Sequence, residues 1–215
     1  MSGKIIVFIF ANMDCLPAPL LLTFWQQIKP FDVWLITHIN QDWGNPFLDR
    51  LLPFFRESVF WVPLYLFLFL FVWMNAGKKV WWWLLAGVLT AAVSDLVSSQ
   101  VIKETFMRLR PCQDPEVASQ LRFFINYCPK SSSFTSSHAT SYFAQASFFF
   151  LTLRHILPGA RWFYLWAGLI AYTQVYVGVH YPFDVVCGGL LGTGIGYLIA
   201  RMFHKQSGML SLVKY

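Results

Sequence analysis

Five apolar runs, each close to the length that crosses a bilayer as a helix, leave this chain few folds to choose from. They cover residues 58–74, 80–102, 137–156, 162–179 and 182–203. Inside a bilayer every backbone polar group must be paired within its own segment, so such runs are read as helices. Composition agrees: of the 215 residues 57% are hydrophobic and only 12% charged, where a soluble domain carries about a quarter. The expected fold class is all-α: a polytopic membrane helix bundle with five or six transmembrane helices and an interfacial N-terminal helix. We find no internal repeat or linker and expect one domain over 1–215.

The N-terminal quarter is less regular. Residues 30–55 mix apolar and polar side chains and read as an interfacial amphipathic helix with a turn at Gly44-Asn45-Pro46. Residues 4–25 contain Asp14, Pro17 and Pro19; a sixth span, a surface-lying segment and a signal-like apolar region all remain open.

Orientation follows from the short loops. Lys78 and Lys79 follow the first run, Arg154, His155 and Arg161 separate the third from the fourth, and Arg201, His204, Lys205 and Lys214 follow the fifth. These three regions alternate onto one face, which the positive-inside rule makes cytoplasmic. Trp81, Trp82, Trp83 and Trp162 stand at the starts of runs, as interfacial belt residues do. Residues 103–136 then lie outside, yet they carry Lys103, Arg108, Arg110, Arg122 and Lys130 against Glu104, Asp114 and Glu116. Cations retained on the outer face against the topology rule fit a phosphate-binding role. The net charge of +6 shows no basic stripe interleaved with exposed aromatics, and nucleic acid is not an expected partner.

Three short motifs sit at the outer ends of these runs. Lys103 and Arg110-Pro111 close the second run; two helical turns apart, the cations can share a pocket, and an arginine fork suits phosphate. Ser136-Ser137-His138 opens the third run, where backbone N–H groups at a helix start attract anions. His180 and Asp184 join the fourth run to the fifth. A neutral imidazole can attack phosphorus while a carboxylate steadies its other nitrogen, and His138 is placed to protonate a leaving oxygen. Each motif alone has a bland reading as snorkelling cations, a helix cap or an interfacial histidine. Their joint order on one face does not. His38, His155 and His204 keep the bland reading.

These motifs resemble the type-2 phosphatidic acid phosphatase family, whose active site is shared with vanadium haloperoxidases and bacterial acid phosphatases. The resemblance covers about residues 55–205. The family pattern Lys-x6-Arg-Pro is met in full at Lys103, Arg110 and Pro111. Pro-Ser-Gly-His is met at Ser136 and His138, with Thr135 and Ser137 as replacements. Ser-Arg-x5-His-x3-Asp is met at His180 and Asp184. The resemblance implies a metal-independent phosphatase without cofactor: His180 as nucleophile, Asp184 as its partner, His138 as general acid, and Lys103, Arg110, Ser136, Ser137 and Gln174 around the phosphate. Gln174, preceded by Thr173, stands where the family has arginine, which removes a charge; Arg108 or Arg122 is the expected replacement. The implied substrate is a lipid-linked phosphate cleaved at the outer face of a bacterial inner membrane. Undecaprenyl diphosphate is the first choice; phosphatidic acid, phosphatidylglycerol phosphate and lipid A phosphate stay open. An inactive phospholipid-binding scaffold and a lipid phosphotransferase are the rivals.

Four further features set expectations. Cys112 and Cys128 flank the outer polar segment, as a disulfide or two free thiols; Cys15 and Cys187 lie in apolar stretches. Asp95, inside the second run, is either a functional acid or a partner of Ser94, Ser98 or a facing polar residue. Gly188, Gly192 and Gly196 repeat every four residues and mark a close-packing face within the bundle.

Overall fold

A computed structural model describes residues 18–208 and 210. Among these the chain is all-helical, without a strand. Helix α1 spans Ala18–Thr37 and continues through a π-helical turn, His38–Asp42. The turn expected at Gly44-Asn45-Pro46 ends it: Asn45 caps α2, Pro46–Arg56, accepting from the N–H groups of Phe47 and Leu48 at 3.1 and 3.0 Å, with Pro46 at the first helical position. The residues 4–17 of the undecided N-terminal segment, and Cys15 with them, lie outside the described residues.

The five apolar runs are all helices. Helix α3 covers Val62–Ala76 after a 3-10 turn, Ser58–Trp61, and breaks at Gly77, whose φ of 55° suits glycine. Helix α4 covers Lys79–Leu96 and continues through a π-helical stretch, Val97–Ile102, to Lys103–Thr105. A short α5, Pro115–Ala118, lies in the polar segment. Then come α6, Ser137–Leu153, α7, Trp162–Tyr176, and α8, Pro182–Ser207.

By length and hydropathy three of these, Ser58–Ala76, Lys79–Thr105 and Pro182–Ser207, are long and apolar enough to cross a membrane. Helices α6 and α7 are shorter, at 17 and 15 residues, and are the most enclosed. The difference from five full-length spans is one of position. Helix α6 runs through the centre of the bundle, flanked by α4, α7 and α8, so neighbouring helices rather than lipid cover it. The peripheral helices carry the exposed apolar belt: Leu66, Phe67 and Trp73 on α3, Leu85 and Val88 on α4, Leu190 and Leu198 on α8. Trp81 and Trp82 join that belt, but Trp83 turns inward and donates from Nε1 to Thr152 Oγ1 at 3.0 Å.

The expected glycine face is real and faces α6. A Cβ on Gly192 would lie 2.0 Å from Thr140 O, and one on Gly196 2.1 Å from Ala144 O. Small residues let the two backbones touch, and this contact sets the first half of α6 against the middle of α8. Asp95 accepts from Ser99 Oγ at 2.9 Å, and Ser99 in turn meets Ser137 Oγ at 3.0 Å. That polar chain, through Ser99 instead of Ser94 or Ser98, ties α4 to the first residue of α6.

Candidate active site

Asp184 is the best-anchored member of the site. It occupies the third position of α8, where Pro182 starts the helix, and its Oδ2 accepts from the Tyr181 N–H at 3.1 Å and from Ser133 Oγ at 2.5 Å. Arg108 donates to its Oδ1 at 2.5 Å and, with its other nitrogen, to Asp32 Oδ2 at 2.6 Å. Asp32 also accepts the Phe183 N–H at 2.9 Å, so α1 is bolted to the start of α8. The Arg108 guanidinium lies over the rings of Trp25 and Tyr181, 4.7 and 4.2 Å from their centroids. Burial alone would make this guanidinium easier to deprotonate; the Asp184 and Asp32 carboxylates outweigh it and raise its pKa above the ordinary value.

His180 lies in the α7–α8 connection, which Gly178 turns with a φ of 79°. Its backbone N–H donates to Gln174 O at 3.2 Å. Its Nε2 faces Arg110 Nη1 at 3.0 Å. A guanidinium has only donors, so Nε2 carries the lone pair and Nδ1 the hydrogen. Nδ1 points at Asp184 Oδ2 from 3.7 Å and has no hydrogen-bond partner; a closing of about 0.7 Å would make that bond. Burial, with the charges of Arg110 and Lys103, outweighs Asp184 and pushes the His180 pKa down to about 3. The imidazole is therefore neutral at neutral pH.

Arg110 does not reach this place on a helix. The helix ends at Thr105, and Phe106–Arg110 is irregular chain, consistent with the bias that Pro111 places on the residue before it. The two-turn relation expected between Lys103 and Arg110 is thus not what joins them; the loop folds back instead. Arg110 is clamped by Ser131 O at 2.9 Å, Ser131 Oγ at 3.0 Å, Ser132 O at 3.3 Å and Val179 O at 3.1 Å. Burial pulls its pKa down to about 10, with Arg56 lowering it further against the pull of Asp184. Cys112 and Cys128 are bonded across the base of this loop, Cα atoms 6.0 Å apart.

Ser136 caps α6, accepting from the Ala139 N–H, and its own N–H donates to Asp184 O at 3.2 Å. His138 follows one residue into α6, close enough to Arg56, Lys103 and Arg110 for their charges to act on it. Lys103 is buried and makes no hydrogen bond or ion pair among the described residues. Lys103, Arg110, Ser136, Ser137, His138, His180 and Asp184 thus meet at one end of the bundle.

Gln174 meets them from behind. It is fully buried, its amide nitrogen donating to Thr173 Oγ1 at 3.2 Å and its Oε1 accepting from Arg56 Nε at 3.2 Å. The amide is engaged on both sides, which corrects its expected place as a direct phosphate donor. Nor is either expected substitute cation free: Arg108 is tied to two carboxylates, and Arg122 to Asn40 O and Asp49. Sequence reading missed Ser133, Asp32 and Arg56. Ser133 stood in a serine run with nothing to single it out, and Asp32 and Arg56 come from helices far away in sequence.

This arrangement presents a neutral nucleophilic nitrogen backed by a carboxylate, a second histidine, a helix start and convergent cations. It has the parts for in-line attack on a phosphate. The family profile of the PAP2 superfamily matches residues 79–207. A lipid A 4'-phosphatase of Bacteroides thetaiotaomicron is 30% identical over 77% of this chain and 74% of its own length. An undecaprenyl-diphosphatase of Sulfolobus acidocaldarius is 29% identical over 68% of this chain and 65% of its own. Among solved structures, Aquifex aeolicus LpxE superposes with a TM-score of 0.56 at 25% identity, covering 78% of this chain and 93% of that protein. A PAP2-type phosphatidylglycerolphosphate phosphatase of Bacillus subtilis shares the fold at a TM-score of 0.57 and 19% identity, over 96% and 98% of the two chains. Motifs, fold and a profile match over more than half of the sequence agree: this chain belongs to the PAP2 superfamily, as a membrane-embedded phosphatase.

Proposed function

We propose that this protein hydrolyses the phosphate of a lipid at the extracytoplasmic face of a bacterial inner membrane, through a phosphohistidine on His180. The observation that carries the reading is the line Arg110 Nη1, His180 Nε2, His180 Nδ1, Asp184 Oδ2, at 3.0 and 3.7 Å, with Asp184 held by Ser133, Arg108 and the Tyr181 N–H. It orients a neutral imidazole with its lone pair toward the cations.

In the first step Nε2 forms a bond to phosphorus, and the bond from phosphorus to the lipid oxygen breaks. That oxygen takes a proton from His138, which enters the step as an imidazolium whose charge the phosphate dianion of the substrate balances against Arg56, Lys103 and Arg110. The imidazolium that forms keeps its Nδ1–H directed at Asp184. In the second step water attacks phosphorus, its proton goes to the now neutral His138, and the phosphorus–nitrogen bond breaks. Inorganic phosphate leaves and both histidines return to their starting states. Arg110, Lys103 and the backbone N–H groups at the start of α6 balance the charge on the non-bridging oxygens.

For the lipid, the relatives favour the phosphate on the 4' position of lipid A: two, from Bacteroides thetaiotaomicron and Porphyromonas gingivalis, carry that name at 30% and 26% identity. Undecaprenyl diphosphate, the first choice from sequence, is the second reading, on the Sulfolobus relative. Phosphate release by purified protein in detergent from lipid A, undecaprenyl diphosphate and phosphatidic acid is the test, with His180→Ala alongside. We expect the wild type to exceed the variant by at least about 1,000-fold on lipid A. Equal release from every lipid would leave the scaffold reading.

A further inference from the structure

The family pattern places an arginine where this chain has Gln174, and the structure puts another arginine against it. Arg56, the last residue of α2, is buried and donates from Nε to Gln174 Oε1 at 3.2 Å. Guanidinium has no acceptor, so it is the Gln174 oxygen that must face it, and the donation of the Gln174 nitrogen to Thr173 Oγ1 agrees. The nearest carboxylate, Glu57, is 3.7 Å from Nη1 and exposed. Neither terminal nitrogen of Arg56 has a hydrogen bond among the described residues. Tyr127 lies under the guanidinium, 5.4 Å from ring centroid to Cζ, and the charge acts on both His138 and Arg110.

A buried cation without a bonded counter-ion is costly to keep. Arg108, by contrast, spends both ends on carboxylates. An arginine held by Nε, with neither terminal nitrogen hydrogen-bonded among the described residues, keeps a fork of donors for a tetrahedral anion. We propose that Arg56 is a phosphate-binding residue of this enzyme, supplying from α2 the positive charge that its relatives' pattern supplies from position 174, and that Gln174 is the positioning residue that holds it. This rests on the phosphatase reading above.

The test is the kcat and KM of Arg56→Met, Arg56→Lys, Gln174→Arg and Arg56→Met/Gln174→Arg on the best lipid phosphate. Arg56→Met should lose about 100-fold in kcat/KM with no fall in Tm beyond a few degrees, because the buried charge that is removed has only the exposed Glu57 as counter-ion. Moving the charge to position 174 should return at least about tenfold of that loss. Gln174→Arg alone should gain nothing, since it forces two guanidinia together. A purely structural Arg56 would show the reverse: a large drop in Tm and no rescue. Activity of Arg56→Met within threefold of wild type, with His180→Ala inactive, sinks the proposal and leaves the phosphatase reading standing. Wild type no better than His180→Ala sinks that reading instead. Should the neutral variants not fold, Arg56→Lys decides: inhibition by inorganic phosphate should weaken about tenfold when the fork becomes a single ammonium, and unchanged inhibition overturns the assignment.

Discussion

His180 shows how one residue's surroundings set both its chemistry and its cost. Its pKa is near 3 in the folded chain and about 6.5 in an unfolded one. Between those values the unfolded state binds a proton that the native state refuses, so stability falls as pH falls through that window, by at most about 1.4 kcal/mol per unit. Above pH 6.5 this residue contributes no slope. Thermal unfolding in detergent from pH 7 to pH 4 should therefore be steeper for wild type than for His180→Gln; parallel curves would show that the native site accepts the proton. Arg108 makes the opposite case. Asp32 and Asp184 are both fully buried and both depend on it. Removing one partner of a buried ionic group strands the others, so Arg108→Ala should cost about 3–5 kcal/mol and abolish folding or activity, measured as folded yield by size exclusion. Ser133→Ala removes one neutral donor from Asp184 and should leave the fold intact while lowering kcat severalfold, KM being little changed. That His138, His180, Asp184, Lys103 and Arg110 gather at one end of the bundle could be read from sequence, because short motifs at the ends of apolar runs carry them. Asp32, Ser133 and Arg56 could not, because their roles arise only when α1, α2 and the serine run fold against α8 and α7.

At the level of elements, apolar runs and their ends were readable because burial, helix starts and prolines act locally. Ser136, Pro182 and Asn45 all stand where their chemistry predicts a helix start. The path between Lys103 and Arg110 was not readable. Helical spacing suggested a shared face, but the chain leaves the helix at Phe106 and is returned to the site by Arg110's own bonds to residues 131, 132 and 179. A close-packing face was readable from the glycine repeat, although its partner α6 was not, and the contact permits a controlled test. Gly192 and Gly194 share a helix, but an added Cβ meets Thr140 O at 2.0 Å in the first case and nothing within 4 Å in the second. Gly192→Ala should push the helices apart at the level of the active site and lower Tm and kcat together, whereas Gly194→Ala should be silent in both. If the two behave alike, the close contact is not what sets the geometry.

At the scale of the molecule, the site, the Cys112–Cys128 bridge and the start of α3 gather at one end of the bundle, with the Gly77 turn and the α6–α7 connection at the other. In the orientation we propose, the basic residues in those opposite turns, Lys78, Lys79, Arg154 and Arg161, face the cytoplasm as the positive-inside rule asks, and the site and the disulfide face outward, where oxidised thiols persist. The substrate's geometry asks for a site at an end of the bundle, on whichever face. A lipid phosphate sits at the headgroup level, so the cations must stand at the end of the apolar belt and cannot lie at its middle. Lys103 stands near the end of the Lys79–Thr105 span and Arg110 lies beyond it. Single cysteines placed at Lys79 and at Gln120, in a Cys15→Ser/Cys187→Ser background that keeps the Cys112–Cys128 bridge, test the arrangement. A membrane-impermeant maleimide added to intact cells or spheroplasts should label position 120 and leave position 79 untouched until the membrane is opened. The reverse pattern would put the chemistry in the cytoplasm, where the bridge would be reduced and the substrates on offer would be those of the inner leaflet.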